Sequence, residues 1–140
     1  MVAARLREAG IVAADEVAFE YLRVEAGLPR FGHEMTTDFI PLEVDLWDDV
    51  SFNKGCYIGQ EIIARMESRG RMAKKLFKLL PAGPISIGAT IRADGKNAGT
   101  ITSVADGPSG TVALGLVKNA FWDGTNDLTV DDVELTLCVD

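Results

Sequence analysis

The stretch "FNKGCYIGQEIIAR", Phe52 to Arg65, gathers the residue types most able to do chemistry. Lys54 and Gly55 precede Cys56, and Gln60, Glu61 and Arg65 follow on what reads as a helix. A helix start carries unpaired N–H groups and the positive end of the helix dipole, so it favours an anion. A cysteine there, beside a lysine, would be drawn toward the thiolate, the reactive form of the side chain. Gly55 would let the backbone approach a ligand closely, and Lys54 could offer its ammonium to a carboxylate or ring oxygen. Glu61 and Arg65 have the i, i+4 spacing of a helical ion pair, worth about 0.2–0.5 kcal/mol. A lone cysteine is also a small hydrophobe that packs in cores, and the residues by themselves leave both readings of Cys56 open.

Other residues offer weaker chemistry. Glu25 continues the apolar stripe of its segment, and a carboxylate near a buried face needs a hydrogen-bonding partner. It is either an exposed helix-end acid or a group that recognises a ligand's N–H donors. Arg65, Arg69, Arg71, Lys74, Lys75 and Lys78 form a basic run that could hold an anionic tail or phosphate, or simply face solvent. His33 reads as a loop residue with no Ser or Asp arrangement beside it. Trp47 and Trp122 could wall a ligand or pack at a core rim. Cys138, in an alternating strand, reads as packing.

These residues must be positioned by two kinds of element. "VAARLREAG" predicts a short helix closed by Gly10, a residue suited to the left-handed C′ position. Asp15 is a good N-cap for a second helix, in which Val17, Ala18, Tyr21, Leu22 and Glu25 form a stripe ended by Gly27 and Pro29. Residues 30–53 read as irregular or extended, with acids at Glu34, Asp38, Glu43, Asp45, Asp48 and Asp49. A third helix is expected from Cys56 or Tyr57, with Ile58, Ile62 and Met66 as its buried seam. After Gly70 the pattern changes to short β-rich runs divided by turn residues, Asp94-Gly95 being the strongest hairpin signal. The fold class predicted is α+β: a helical, mixed segment over 1–70 followed by a small antiparallel β-barrel over 71–140.

The 140 residues can bury a core without staples. A net charge of −7 argues against general nucleic-acid binding. No apolar run approaches the ~20 residues of a membrane span, and the charged N-terminus does not read as a signal peptide. Two distant cysteines and one histidine make neither a disulfide framework nor a zinc site. The expectation is a reduced, cytoplasmic protein.

The octapeptide "KGCYIGQE" (54–61) resembles the signature of the YgfZ-type folate-binding proteins, relatives of the aminomethyltransferase T-protein of the glycine cleavage system. "YLRVEAGLPRFGHEM" (21–35) looks like their Arg-x-Glu-Ala-Gly segment with the Gly-x-Glu/Asp-Met that follows, and "IPLEVDL" (40–46) like their Pro-x-Glu segment. "RGRMAKKLFKL" (69–79) and "GTITS" (99–103) resemble the start and a strand of their C-terminal barrel, so the resemblance spans nearly the whole chain.

That resemblance implies tetrahydrofolate or a derivative as cofactor. Glu25 matches the glutamate that recognises the pterin, and Lys54 matches a basic residue at the folate site. Gly55, Gln60, Glu61 and Arg65 complete the expected cofactor-binding set, and Cys56 is the expected reactive thiol, since YgfZ-type proteins carry this cysteine where the glycine-cleavage enzymes do not. The resemblance further implies a role in assembly or repair of iron–sulfur proteins, including tRNA-modifying enzymes, with an iron–sulfur client as partner. Its folate channel lies where three domains meet, so the chain reads as a C-terminal portion whose partners include an N-terminal domain, and aminomethyl transfer by this portion alone is not expected. The rival readings are a divergent aminomethyltransferase and a non-catalytic interaction module.

Overall fold

The computed structural model describes residues 2–70 and 72–139, with side chains for all of these except Glu67 and Arg69. Arg71 and the charged end of Arg69, both in the basic run, therefore lie outside the described residues.

Among the described residues the architecture is α+β, three helices beside a closed antiparallel β-barrel. Helix α1 (Val2–Glu8) ends at Gly10, whose φ of 79° lets Ile11 N–H return to the Leu6 carbonyl at 2.9 Å. Helix α2 (Glu16–Glu25) starts where the Asp15 carboxylate accepts from Ala18 N–H at 2.9 Å. A single 3-10 turn over Pro41–Val44 interrupts the irregular connection, and α3 spans Gln60–Arg69. No described helix is long and apolar enough to cross a membrane.

Six strands follow: β1 (Lys74–Pro81), β2 (Thr90–Ala93), β3 (Lys96–Gly107), β4 (Gly110–Lys118), β5 (Leu128–Val130) and β6 (Val133–Cys138). Their order around the barrel is β1-β4-β3-β2-β5-β6, and the β1–β6 pairing closes it. Asp94-Gly95 joins β2 to β3 with both residues at positive φ, as its sequence predicts. Asp131-Asp132 joins β5 to β6 the same way without a glycine, and so carries no hairpin signal in the sequence.

Side chains alternate across a strand. On β4, Ala113 and Val117 enter the barrel core with Leu79, Ile91 and Ile101, while Val112, Leu114 and Leu116 face outward. The outward set packs with Tyr21 and Val24 of α2 and with Val44, so β4 is buried on both faces and reads as an unbroken apolar run.

Two expectations are corrected. Helix α3 begins at Gln60 rather than Cys56 or Tyr57, because Gly59 at φ 90° turns the chain just before it. Ile58 is fully exposed and Ile62 largely so, while Ile63 is buried at 7%, alone among the described side chains of α3. On α2, Val17 and Leu22 are exposed, and the buried residues are Tyr21, Val24 and, unexpectedly, Arg23. The contact with the barrel selects a face rotated from the stripe that apolarity alone suggests.

Candidate functional site

The Lys54–Cys56 loop lies outside α3. Cys56 is exposed, and three residues separate it from the helix's first residue, so the expected place in the first turn is not where it sits. Lys54 Nζ lies 4.8 Å from the centre of the Tyr57 ring, a cation–π contact. The Gln60 Oε1 accepts from Tyr57 N–H at 3.3 Å and so ties the loop to the start of α3. Lys54, Tyr57, Gln60 and Glu61 line a small hollow of about 220 Å³ with Phe52 and Ile63. Gly55, Cys56 and Arg65 are exposed and are not among its lining residues.

Glu25 lies elsewhere. The C-terminal end of α2, through Glu25, Ala26 and Gly27, forms one wall of a larger hollow of about 490 Å³. Lys75, Phe77 and Lys78 of β1, Trp122 and Cys138 are among the residues facing them. Phe77 and Trp122 pack ring to ring at 6.1 Å, and Trp122 Nε1–H donates to the Val117 carbonyl at 2.7 Å, which fixes the indole. Tyr21 Oη–H donates to Glu25 Oε1 at 3.3 Å, and Lys78 Nζ donates to the Glu25 backbone carbonyl at 3.3 Å. Glu25 Oε2 makes no hydrogen bond among the described residues and is available to a ligand donor. Lys75 lies 4.0 Å from Asp45.

The two hollows share no lining residue, so Glu25 and Lys54, expected at one ligand, are not brought into one cavity. The structure instead joins Glu25 to residues read separately in the sequence: Trp122, two lysines of the basic run, and Cys138. Among the described residues no cluster of His, Cys, Asp and Glu could hold a metal ion.

Between α2, the loop that follows it and β3 lies a buried polar network that sequence reasoning missed. Arg23 Nη1 meets Glu34 Oε2 at 3.2 Å, and Arg23 Nη2 donates to Ser103 Oγ at 2.7 Å. Ser103 Oγ–H donates to Glu34 Oε1 at 2.6 Å, and Arg30 N–H donates to Glu34 Oε2 at 3.0 Å. Arg23 also reaches Glu20, which in turn pairs with Arg30. The Arg23 guanidinium, chiefly by its hydrogen bond, holds the Glu20 carboxyl below its ordinary value; burial opposes this, and the charge of Arg23 and the contacts of Arg30 add smaller lowering effects. Glu20 and then Glu16 push the Arg30 guanidinium up. His33, read as an isolated loop residue, has its Nδ1 3.5 Å from Ser103 Oγ. Arg23 lies two residues from Glu25 in the same motif, the one signal the sequence carries, but nothing in it marks Ser103, 80 residues away, as the partner.

Comparisons with known proteins agree with this architecture. Residues 73–140 match the family described as the CAF17, C-terminal beta-barrel domain. A putative chloroplastic transferase of Arabidopsis thaliana is 37% identical over 125 residues, which cover 88% of this chain and 29% of that protein. The tRNA-modifying protein YgfZ of Serratia proteamaculans is 32% identical over 119 residues, covering 79% of this chain and 36% of its own. The crystal structure of glycine cleavage system aminomethyltransferase T from Bartonella henselae superposes with a TM-score of 0.81 at 25% identity, over 96% of this chain and 40% of that one. The chain thus spans less than half the length of each of these three proteins. With a barrel of the CAF17 type, sequence kinship to YgfZ and the fold of an aminomethyltransferase, the chain belongs to the superfamily that unites those proteins and corresponds to its C-terminal portion.

Proposed function

We propose that the chain supplies the folate-binding C-terminal portion of a YgfZ-type protein and takes tetrahydrofolate or a derivative in the hollow beside Glu25. One observation carries the reading: this hollow combines an acid, a pair of aromatic rings and two lysines. A reduced pterin presents adjacent N–H donors, which one carboxylate can accept together, and Glu25 Oε2 is available for them. Phe77 and Trp122 offer apolar walls to the ring system, and Lys75 and Lys78 suit the carboxylates of the glutamyl tail. The volume of about 490 Å³ lies within the roughly 300–1,000 Å³ usual for such ligands.

In the same reading the exposed Lys54–Cys56 loop, with Gly55, Gln60, Glu61 and Arg65 around it, is a second contact region. Cys56 is its reactive thiol, presented to an iron–sulfur client, including enzymes that modify tRNA. The kinship to tRNA-modifying YgfZ proteins supports that assignment.

The two cysteines provide the test. Cys138 lines the Glu25 hollow, whereas Cys56 lies on the other loop. Saturating tetrahydrofolate should slow alkylation of Cys138 and leave Cys56 unchanged, as read by mass spectrometry. Protection of Cys56 alone would move the ligand to the Lys54 hollow, and protection of neither would remove folate from this chain.

A further inference from the structure

We infer that Arg23, Glu34 and Ser103 form a positioning device that sets Glu25 against the barrel, an inference that rests on the folate reading of the Glu25 hollow. Arg23 is 5% exposed, Glu34 0% and Ser103 1%, so the guanidinium and carboxylate are held almost entirely out of water. Every buried polar side-chain atom among the described residues has a partner. A buried ion pair is no measure of stability, since apolar residues of like volume often serve as well. What apolar packing does not supply is direction: charged, forked groups accept only a few geometries.

The network imposes that direction on the end of α2. Arg23 reaches forward to the Leu28 carbonyl at 3.3 Å, and Glu34 accepts from Arg30 N–H at 3.0 Å. The turn containing Ala26 and Gly27, which lines the hollow with Glu25, is therefore held at both ends. Ser103 anchors the assembly to β3, and its placement depends on an irregularity in that strand. Between Ile101 and Ser103 the pairing with β4 shifts register, so that Ile101 opposes Gly115 and Ser103 opposes Leu114. The extra residue, Thr102, reverses the alternation. Ile101 points into the barrel, and Ser103 faces outward with Leu114 and Ala105, under α2. Without the bulge, Ser103 would share the inward face of Ile101 and could not meet Arg23.

Ser103 is not a nucleophile in this arrangement. It is buried, and its proton lies on the short bond to Glu34 rather than toward His33 Nδ1 at 3.5 Å.

Removing Arg23 or Glu34 would strand a buried charge and endanger folding, so Ser103→Ala is the primary variant. The nearly isosteric Ser103→Cys serves as a second. In the full chain, Ser103→Ala should weaken tetrahydrofolate binding about 5- to 10-fold, the scale of one hydrogen bond. In a Glu25→Gln background the same change should have less than about a twofold effect, because the carboxylate it positions is gone. Multiplying effects would overturn the inference. Two ligand-free readouts keep it testable if the wild-type chain binds no tetrahydrofolate, an outcome that sinks the folate reading alone. Ser103→Ala should speed Cys138 alkylation relative to Cys56 and raise amide exchange at Ala26 and Gly27 while leaving β4 protected. Unchanged rates, or a uniform rise across the barrel, would show that the network does not position the α2 end.

Discussion

At the scale of single residues, the proposed function divides the chemistry between Glu25 and Cys56. Glu25, exposed at the end of α2, has one oxygen engaged by Tyr21 and the other available, at the edge of a hollow with aromatic and cationic walls. Glu25→Gln replaces an acceptor pair by a mixed donor and acceptor. Its cost should be that of one or two hydrogen bonds to a charged group, about 1.5–3 kcal/mol, so tetrahydrofolate affinity measured by calorimetry should fall roughly 10- to 100-fold. An unchanged affinity would take Glu25 out of the site. Glu20 carries a pH prediction. Its carboxyl is held below the ordinary value of 4.5 by Arg23 and Arg30, so its stabilisation is complete above that value and is lost as pH falls through the lowered one. Denaturant midpoints should be flat in this contribution above about pH 5 and decline below it. Glu20→Gln should flatten that part of the decline.

At the scale of elements, the seating of α2 on the barrel and the closure of the barrel depend on close approaches. A Cβ on Gly99 would lie 2.1 Å from the Leu116 carbonyl oxygen, where β3 crosses β4. Gly99→Ala must therefore separate two paired strands, and a loss of about 3 kcal/mol or more is expected in equilibrium unfolding. A loss under about 1 kcal/mol would mean that the strands separate more easily than this contact implies. Gly107 meets α2 instead, since a Cβ there would lie 2.2 Å from the Tyr21 ring. Gly107→Ala should accordingly loosen Tyr21, and with it the hydroxyl that holds Glu25. The start of α3 shows how one residue redirects an element: Gly59 leaves Cys56 in a loop, although the surrounding pattern reads as helix.

At the scale of the molecule, the barrel is well covered where α2 and the Pro41–Val44 turn pack on it, but other faces are not. Phe19, Leu22 and Leu28 are exposed on and just after α2, and Phe31 projects beside a nearly apolar groove lined by Met35, Phe39 and Leu46. Apolar surface of this extent favours association. Sedimentation of the chain should show concentration-dependent self-association, and Phe19→Ser with Leu22→Ser should reduce it. A monomer at all concentrations would count against that surface. We also propose that the chain divides near residue 71 into a segment over 1–70 and a barrel over 71–140; limited proteolysis should cut first near that point.

The sequence by itself determined what rests on local chemistry: the Asp15 cap, the Gly10 stop, the Asp94-Gly95 hairpin, the α+β order and a motif that points to a family. Each depends on neighbours within a few residues, so composition and spacing suffice. The tertiary structure decided which residues meet. Closing the barrel and seating α2 bring Arg23, Glu34 and Ser103 together, and the Thr102 bulge chooses which face Ser103 occupies. The same packing puts Glu25 with Trp122, Lys75 and Lys78, and apart from Lys54. Alternation and periodicity say that a side chain has a face; only packing against distant strands says what that face touches.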